Sequence, residues 1–196
     1  MESSRHAPFG VPSRIRRGYV AASSADLAST SLGLRREGVS ENSVFVVTGE
    51  GYSDSRAWLI TDLGGLVLVG CVWFAARNAH RVDERWLRRP FRSLGVVYFS
   101  PWSNMGIAVT PIHALSLALA LVALRLVAAA NNLLVYASGI SPMGTPMKVI
   151  GAETSPLAGF AVVGFACLVT LAVVLLPAAS RIIRSWRASG HTDDAT

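Results

Sequence analysis

The sequence predicts an all-α integral membrane protein with three transmembrane helices and a re-entrant or interfacial segment between the first two. Three observations carry this. Apolar residues cluster into runs at about 57–76, 112–136 and 157–179. Each run approaches the roughly 20 residues needed to cross about 30 Å of hydrocarbon. Charged residues make up only 15% of the chain, against 52% hydrophobic. Three such helices in 196 residues would leave a soluble fold too little polar surface to cover them.

Residues 1–56 differ from the rest. They are rich in Ser, Arg and Gly, with one short apolar run at Val44–Val47, and read as a mostly disordered tail. Arg14, Arg16 and Arg17 resemble the basic start of a secretory signal, but Tyr19 to Leu34 is too polar to be its apolar core. An Arg- and Ser-rich, acid-poor start also has the composition of a mitochondrial targeting segment. Asp26, Glu37 and Glu41 count against that reading further along.

The first span, 57–76, has Trp58 and Trp73 near its two ends, where indole rings prefer to lie, and Asp62 near its start. A basic segment follows. Arg77, Arg81, Arg85, Arg88 and Arg92 recur every three or four residues and would form one stripe on a continuing helix that Pro90 limits. The stripe reads as a positive-inside topology anchor. Its sharper alternative is a contact for anionic lipid head groups or a partner.

Residues 93–111 alternate apolar pieces with Ser100-Pro101-Trp102-Ser103-Asn104 and end at Pro111. The second span begins at once at Ile112, which leaves no room for a turn between two crossings. A re-entrant or interfacial segment fits better. The second span, 112–136, carries Arg125 near its middle. A loop with Pro142, Pro146 and Pro156 leads to the third span, 157–179, after which Arg181, Arg184, Trp186 and Arg187 form a basic cap. The helical membrane domain thus covers 57–187, and 188–196 is a polar tail. Arginine counts place the 77–111 connection and the C-terminal end in the cytoplasm. Three crossings then put the N-terminal tail outside.

The net charge of +6 is carried almost wholly by arginine, with Lys148 the only lysine. These arginines flank apolar runs, so membrane topology accounts for them and no nucleic-acid partner is expected. Cys71 and Cys167 lie inside spans, with neither metal-ligand spacing nor a disulfide framework.

Arg125 is the outstanding single residue. A charge near the bilayer centre costs at least about 2.5–3.5 kcal/mol, so it should face protein or water. On a helix it shares a face with Ala118, Leu121, Val122, Ala128, Ala129 and Asn132. Asp62 is its expected partner, reached by snorkelling. The Asp62–Arg125 pair reads as a structural ion pair, or else as a polar site for an anion or for protons. His80 and His113 fall at the cytoplasmic margins of two spans. They raise the alternative of a haem-binding electron carrier, though such ligands usually lie within the bundle. No Gly-x-Ser-x-Gly elbow and no phosphate-cradling loop is present.

Trp73, Arg77, Asn78, Pro101, Asn104 and Pro111 resemble a pattern found in an uncharacterised family of actinobacterial multi-pass membrane proteins, a domain of unknown function. Here Arg77 and Asn78 are adjacent, Asn104 and Pro111 are far apart, and that family's usual first span is missing. The resemblance covers about a fifth of the chain and implies membrane class and a bacterial source. The sequence thus points to a non-enzymatic accessory or scaffolding subunit of a membrane complex, without a cofactor, in a bacterial plasma membrane. Its partners would be the bilayer and other membrane subunits. A mitochondrial inner membrane is the alternative location, and a small transporter or channel component using Asp62 and Arg125 is the alternative role.

Overall fold

The structure, a computed structural model, describes residues 10–33, 54–153 and 155–191. The tail expectation for 1–9, 34–53 and 192–196, including the Val44–Val47 run, lies outside these residues. Every regular element described is helical. In order they are α1 (Gly10–Gly33), α2 (Asp54–Asn78), a 3-10 turn (Ala79–Arg81), α3 (Glu84–Arg88), α4 (Arg92–Phe99), α5 (Asn104–Ser138), α6 (Gly144–Glu153), α7 (Pro156–Val174) and α8 (Leu176–His191).

Among the described residues, α5 is the one helix long and apolar enough to cross a membrane by itself, with mean hydropathy 2.2 over its best 18-residue window. Only 39% of that window is buried, whereas the core helix of a soluble protein would be mostly buried, so the helix favours membrane association. Ala161–Val174 and Leu176–Ser189 add a second candidate if the pair, bent by 49°, counts as one broken span. The expected first span corresponds to the 25-residue α2, whose side chains at 54–61 lie outside the described residues.

The element boundaries correct the sequence reading in several places. Gly10–Gly33 of the expected tail is a 24-residue helix. The second span does not begin at Ile112, because α5 runs through Pro111 from Asn104. The proline removes the hydrogen bond to the Ile107 carbonyl, yet the helix continues through it. The helix start is fixed upstream by Ser103, whose Oγ accepts from the Gly106 N–H at 3.0 Å, while the same hydroxyl donates to the Ser100 carbonyl at 2.7 Å. Replacing Ser103 by alanine should lower local stability by about 1 kcal/mol. Faster hydrogen exchange at the Gly106 amide would register it, and unchanged protection there would count against this cap.

Residues 93–111 accordingly divide into α4, a turn and the first two turns of α5. The 137–156 loop contains α6. The helix over the expected third span breaks near Leu175 instead of running to 179. Pro177 has no N–H for the Val173 carbonyl and its ring crowds that group. The Ser116 hydroxyl of α5 donates to the Ala172 carbonyl in the last turn before the break. Helix α8 then continues to His191, into the expected polar tail.

The chain divides into two compact units. One comprises residues 1–17, 66–120 and 171–196, the other 18–65 and 121–170. The first has an apolar core that includes Leu68, Val72, Val82, Leu87, Ile112, Leu115, Leu176 and Ile183, all nearly inaccessible. In it α8 is strongly amphipathic: Leu176, Ala179, Ile183 and Trp186 are buried, while Arg181 and Arg184 are exposed. The second unit is described through its polar cluster below.

A buried polar cluster on α1 and α5 as candidate functional site

Helix α1 buries Tyr19, Ala22, Ser23, Asp26 and Ser29. Their spacing of three and four residues puts them on one face of a helix. Three of the five are hydroxyl residues and one is an acid, so this face needs polar partners once removed from water. Helix α5 supplies them for Asp26 and Ser29, while the buried Ser23 hydroxyl has no hydrogen-bond partner among the described residues. Arg125 Nη1 donates to Asp26 Oδ2 at 2.9 Å, with the two side chains 23% and 10% exposed. Asn132, two turns further along α5, donates through Nδ2 to Thr30 Oγ1 at 2.8 Å and reaches Asp26 Oδ1 at 3.3 Å and Ser29 Oγ at 3.4 Å. Both carboxylate oxygens of Asp26 are therefore engaged. Ser29 and Thr30 donate their own hydroxyl protons back to the Asp26 carbonyl, at 2.8 and 2.9 Å. This leaves their oxygens oriented to accept from Asn132.

The Tyr19 side chain also hydrogen-bonds Arg125. Its ring reaches that position by lying over Gly64 and Gly65 of α2. A Cβ at Gly64 would collide with the Tyr19 hydroxyl, and one at Gly65 would stand 3.4 Å from the ring. The Gly64-Gly65 pair thus makes room for the tyrosine. At Gly18 the backbone of α1 passes close to α5, with its Cβ direction 3.9 Å from Val122. The cluster draws on α1, α2 and α5 together.

The expected Asp62–Arg125 pair is not what the structure forms. Asp62 is exposed, and Arg125 is bonded to Asp26. Hydropathy does not single out Asp26, because it lies in a stretch too polar to resemble a span. The available signal was the period of Tyr19, Ser23, Asp26 and Ser29/Thr30, which makes one polar stripe. The helix-face reading around Arg125 was informative, since Asn132 does join it.

The arginine segment is also rearranged. Arg77, Arg81, Arg85, Arg88 and Arg92 are all exposed, but they do not share one helix. They fall on the end of α2, the 3-10 turn, α3 and the start of α4. The cause is Asp83, whose carboxylate accepts from the Arg85 N–H at 3.0 Å and starts a new helix. Pro90 then ends that helix region. Arg77 lies over Trp73 at 5.2 Å and Arg85 over Trp86 at 5.1 Å. Glu84 gathers Arg88, Arg184 and Arg187 at 3.3, 3.2 and 3.6 Å.

The two histidines differ in setting. His80 is exposed in the 3-10 turn, and His113 is half-buried. The Ser93 hydroxyl, fully buried, donates to the Pro90 carbonyl at 2.5 Å, so it accepts from His113 Nε2 at 2.8 Å. That bond ties α5 to the start of α4. Cys71 and Cys167 are unpaired thiols of intermediate exposure. Among the described residues no group of three or more His, Cys, Asp or Glu side chains is placed to hold a metal ion.

Chemically, the cluster around Asp26 and Arg125 is a neutralised ion pair with its remaining lone pairs and protons directed at neighbouring side chains. Comparison with protein-family models, curated proteins and solved structures finds no match to this chain.

Proposed function

We propose that the chain is a non-enzymatic integral membrane protein that acts as an accessory or scaffolding subunit of a larger membrane complex. The observation that carries this reading is where its polar and apolar groups point. Arg125, Asp26 and Asn132 bond one another inside the chain. Large apolar side chains point outward: Leu66, Trp73 and Val67 of α2 are 70%, 59% and 52% exposed, and Phe165 and Val162 of α7 are 68% and 51% exposed. In water such a surface would be a liability; in a bilayer it meets lipid tails or other helices. Gly70 and Gly164 have open space beyond their Cα atoms, which suits close approach of another helix.

In this reading the membrane is crossed by α2, α5 and the broken α7–α8 pair, and also by α1. The 24 residues of α1 extend about 36 Å at 1.5 Å each, with the arginines in its first turns at head-group level. Its polar stripe, which keeps it from being apolar enough to cross alone, is covered by α5. Between Gly18 and Gly33 its single charge is Asp26, which Arg125 neutralises at mid-helix depth of α5. Arg14, Arg16 and Arg17 stand at its N-terminal end and belong to the same compact unit as the basic segments 77–92 and 181–187. Four crossings put both ends of the bundle on one side, which the positive-inside rule makes cytoplasmic. This places the segment before α1 on the same side as the basic segments.

A reporter fused before Gly10 tests the topology. Cytoplasmic-type activity is expected, and periplasmic-type activity would restore three crossings. The subunit role is tested by extraction in mild detergent and identification of co-purifying membrane proteins in stoichiometric amount. A chain that migrates alone, and whose deletion leaves every membrane complex intact, would refute it. Arg125→Leu separates this role from the transporter alternative: lost assembly supports a subunit, and lost transport with intact assembly supports a carrier.

A further inference from the structure

We infer that the junction of α3 and α8 is a binding site for the phosphate of an anionic phospholipid. The inference rests on the membrane reading above and goes beyond it. Glu84 of α3 is the centre of a basic clasp. Its Oε1 accepts from Nε of Arg88 at 3.3 Å and forms an ion pair with Arg184, whose Nε is 3.2 Å away, and its Oε2 lies 3.6 Å from Nη1 of Arg187. Arg187 Nη1 also donates to the Val82 carbonyl at 2.8 Å, which fixes that side chain. Three guanidinium groups thus share one carboxylate, and two positive charges remain in excess.

The donor geometry decides what those charges can do. A guanidinium carries five N–H donors. Arg88 and Arg184 both meet Glu84 through Nε, and neither makes an Nη contact with it, so the Nη pair of each keeps the planar fork that matches phosphate. The side chains of Arg88 and Arg184 are 74% and 45% exposed. An open cavity of about 260 Å³ lies against Arg184 and Arg187, lined by these two with Glu84 and Ala188, and Arg88 stands beside it on the shared Glu84 carboxylate. It has room for a phosphate with its ester oxygens.

The source of the phosphate follows from the setting. Helix α8 buries Leu176, Ala179, Ile183 and Trp186 and carries its arginines on the opposite side. It leads directly out of the apolar α7, so it emerges where head groups lie. Arg77, Arg81, Arg85, Arg89 and Arg92 add exposed positive charge in the same unit. Juxtamembrane clusters of this kind attract anionic lipid. The clasp adds a defined pair of forks to that diffuse attraction.

The test measures binding of a short-chain phosphatidylglycerol to the full chain in neutral maltoside micelles by calorimetry, with inorganic phosphate and short-chain phosphatidylcholine as the other two titrants. The lipid is expected to bind at least tenfold more tightly than either. Arg88→Gln with Arg184→Gln should weaken it at least tenfold. Arg81→Gln with Arg92→Gln, which removes the same charge outside the clasp, should weaken it less than threefold. Equal losses in the two double variants would reduce the site to diffuse surface charge and overturn the proposal. So would undiminished binding by the clasp variant, or inorganic phosphate binding as tightly as the lipid. Arg184→Lys, which keeps the charge and removes the fork, guards against a folding defect: an intermediate loss supports the clasp, and full retention refutes it. Resistance of the wild-type chain to alkaline extraction from membranes is read separately. If it is extracted, the membrane reading fails; if it is retained and lipid binding is absent, the clasp alone fails.

Discussion

Arg125→Leu is expected to destabilise the protein by about 3–5 kcal/mol, because it strands the Asp26 carboxylate in a buried site. Asp26 is 10% exposed, and its two oxygens accept from Arg125 and Asn132. Removing the guanidinium takes away both its charge-assisted hydrogen bond and its neutralising charge. Asp26→Leu should cost a similar amount for the converse reason, since Arg125 would lose its neutralising carboxylate. The double variant Asp26→Leu with Arg125→Leu should recover most of the loss, because a matched apolar pair restores compatibility with the surroundings. Reversible unfolding in mixed micelles measures all three, and the double-mutant cycle isolates the pairwise term. Asp62→Asn is the discriminating control. Asp62 is exposed, so its substitution should fall within about 0.5 kcal/mol of wild type. A loss at Asp62 as large as that at Asp26 would assign the partner of Arg125 to the wrong helix.

Gly159→Ala is expected to cost about 1–3 kcal/mol through overpacking, opposite in sign to Gly164→Ala in the same helix. Within its unit, Gly159 on α7 lies against α6, and a Cβ there would press on the Met147 carbonyl oxygen and stand 2.9 Å from the Gly151 nitrogen. Both are backbone atoms, which cannot rotate aside as a flexible side chain would. Gly164 meets nothing within 4 Å. Alanine there should stabilise by up to about 1 kcal/mol through helix propensity alone. The same micelle-unfolding assay reads both signs. Two stabilising substitutions would mean that α6 and α7 do not approach as closely at this point.

The apolar elements were legible in the sequence because a long apolar helix leaves a local record. A run of about 20 apolar residues has one main structural outcome, and α2 and α5 formed over the expected runs, although α5 extends further. Proline was a less direct guide. Pro111 sits inside a continuous helix, while Pro177 accompanies a break. Both lack the N–H, and the difference lies in what surrounds them. Ser116 donates to the Ala172 carbonyl beside the break at α7–α8, a contact 56 residues distant in sequence. The basic stripe failed as a single helix because Asp83 offered the backbone a fresh N-cap. That signal was visible locally and outweighs arginine periodicity on an exposed surface, where periodicity has little energetic consequence.

The polar cluster was half legible. Arg125 announced itself, since a charge in an apolar run must find a partner, and its face correctly included Asn132. Asp26 could not be found by hydropathy, because the polar stripe of α1 lowers the helix below any apolar threshold. The stripe is favourable only once Arg125 and Asn132 stand opposite it, about a hundred residues away in the chain.

By itself, then, the sequence determined the all-helical class, the apolar runs and the presence of an arginine within an apolar run in need of a partner. These depend on composition and short-range period, which act within one helix. The tertiary structure decided that Asp26 and not Asp62 answers Arg125, that Gly64-Gly65 admits Tyr19, and that Glu84 draws arginines from two helices together. Each of these is a match between groups distant in sequence, and its energy exists only when both sides are in place.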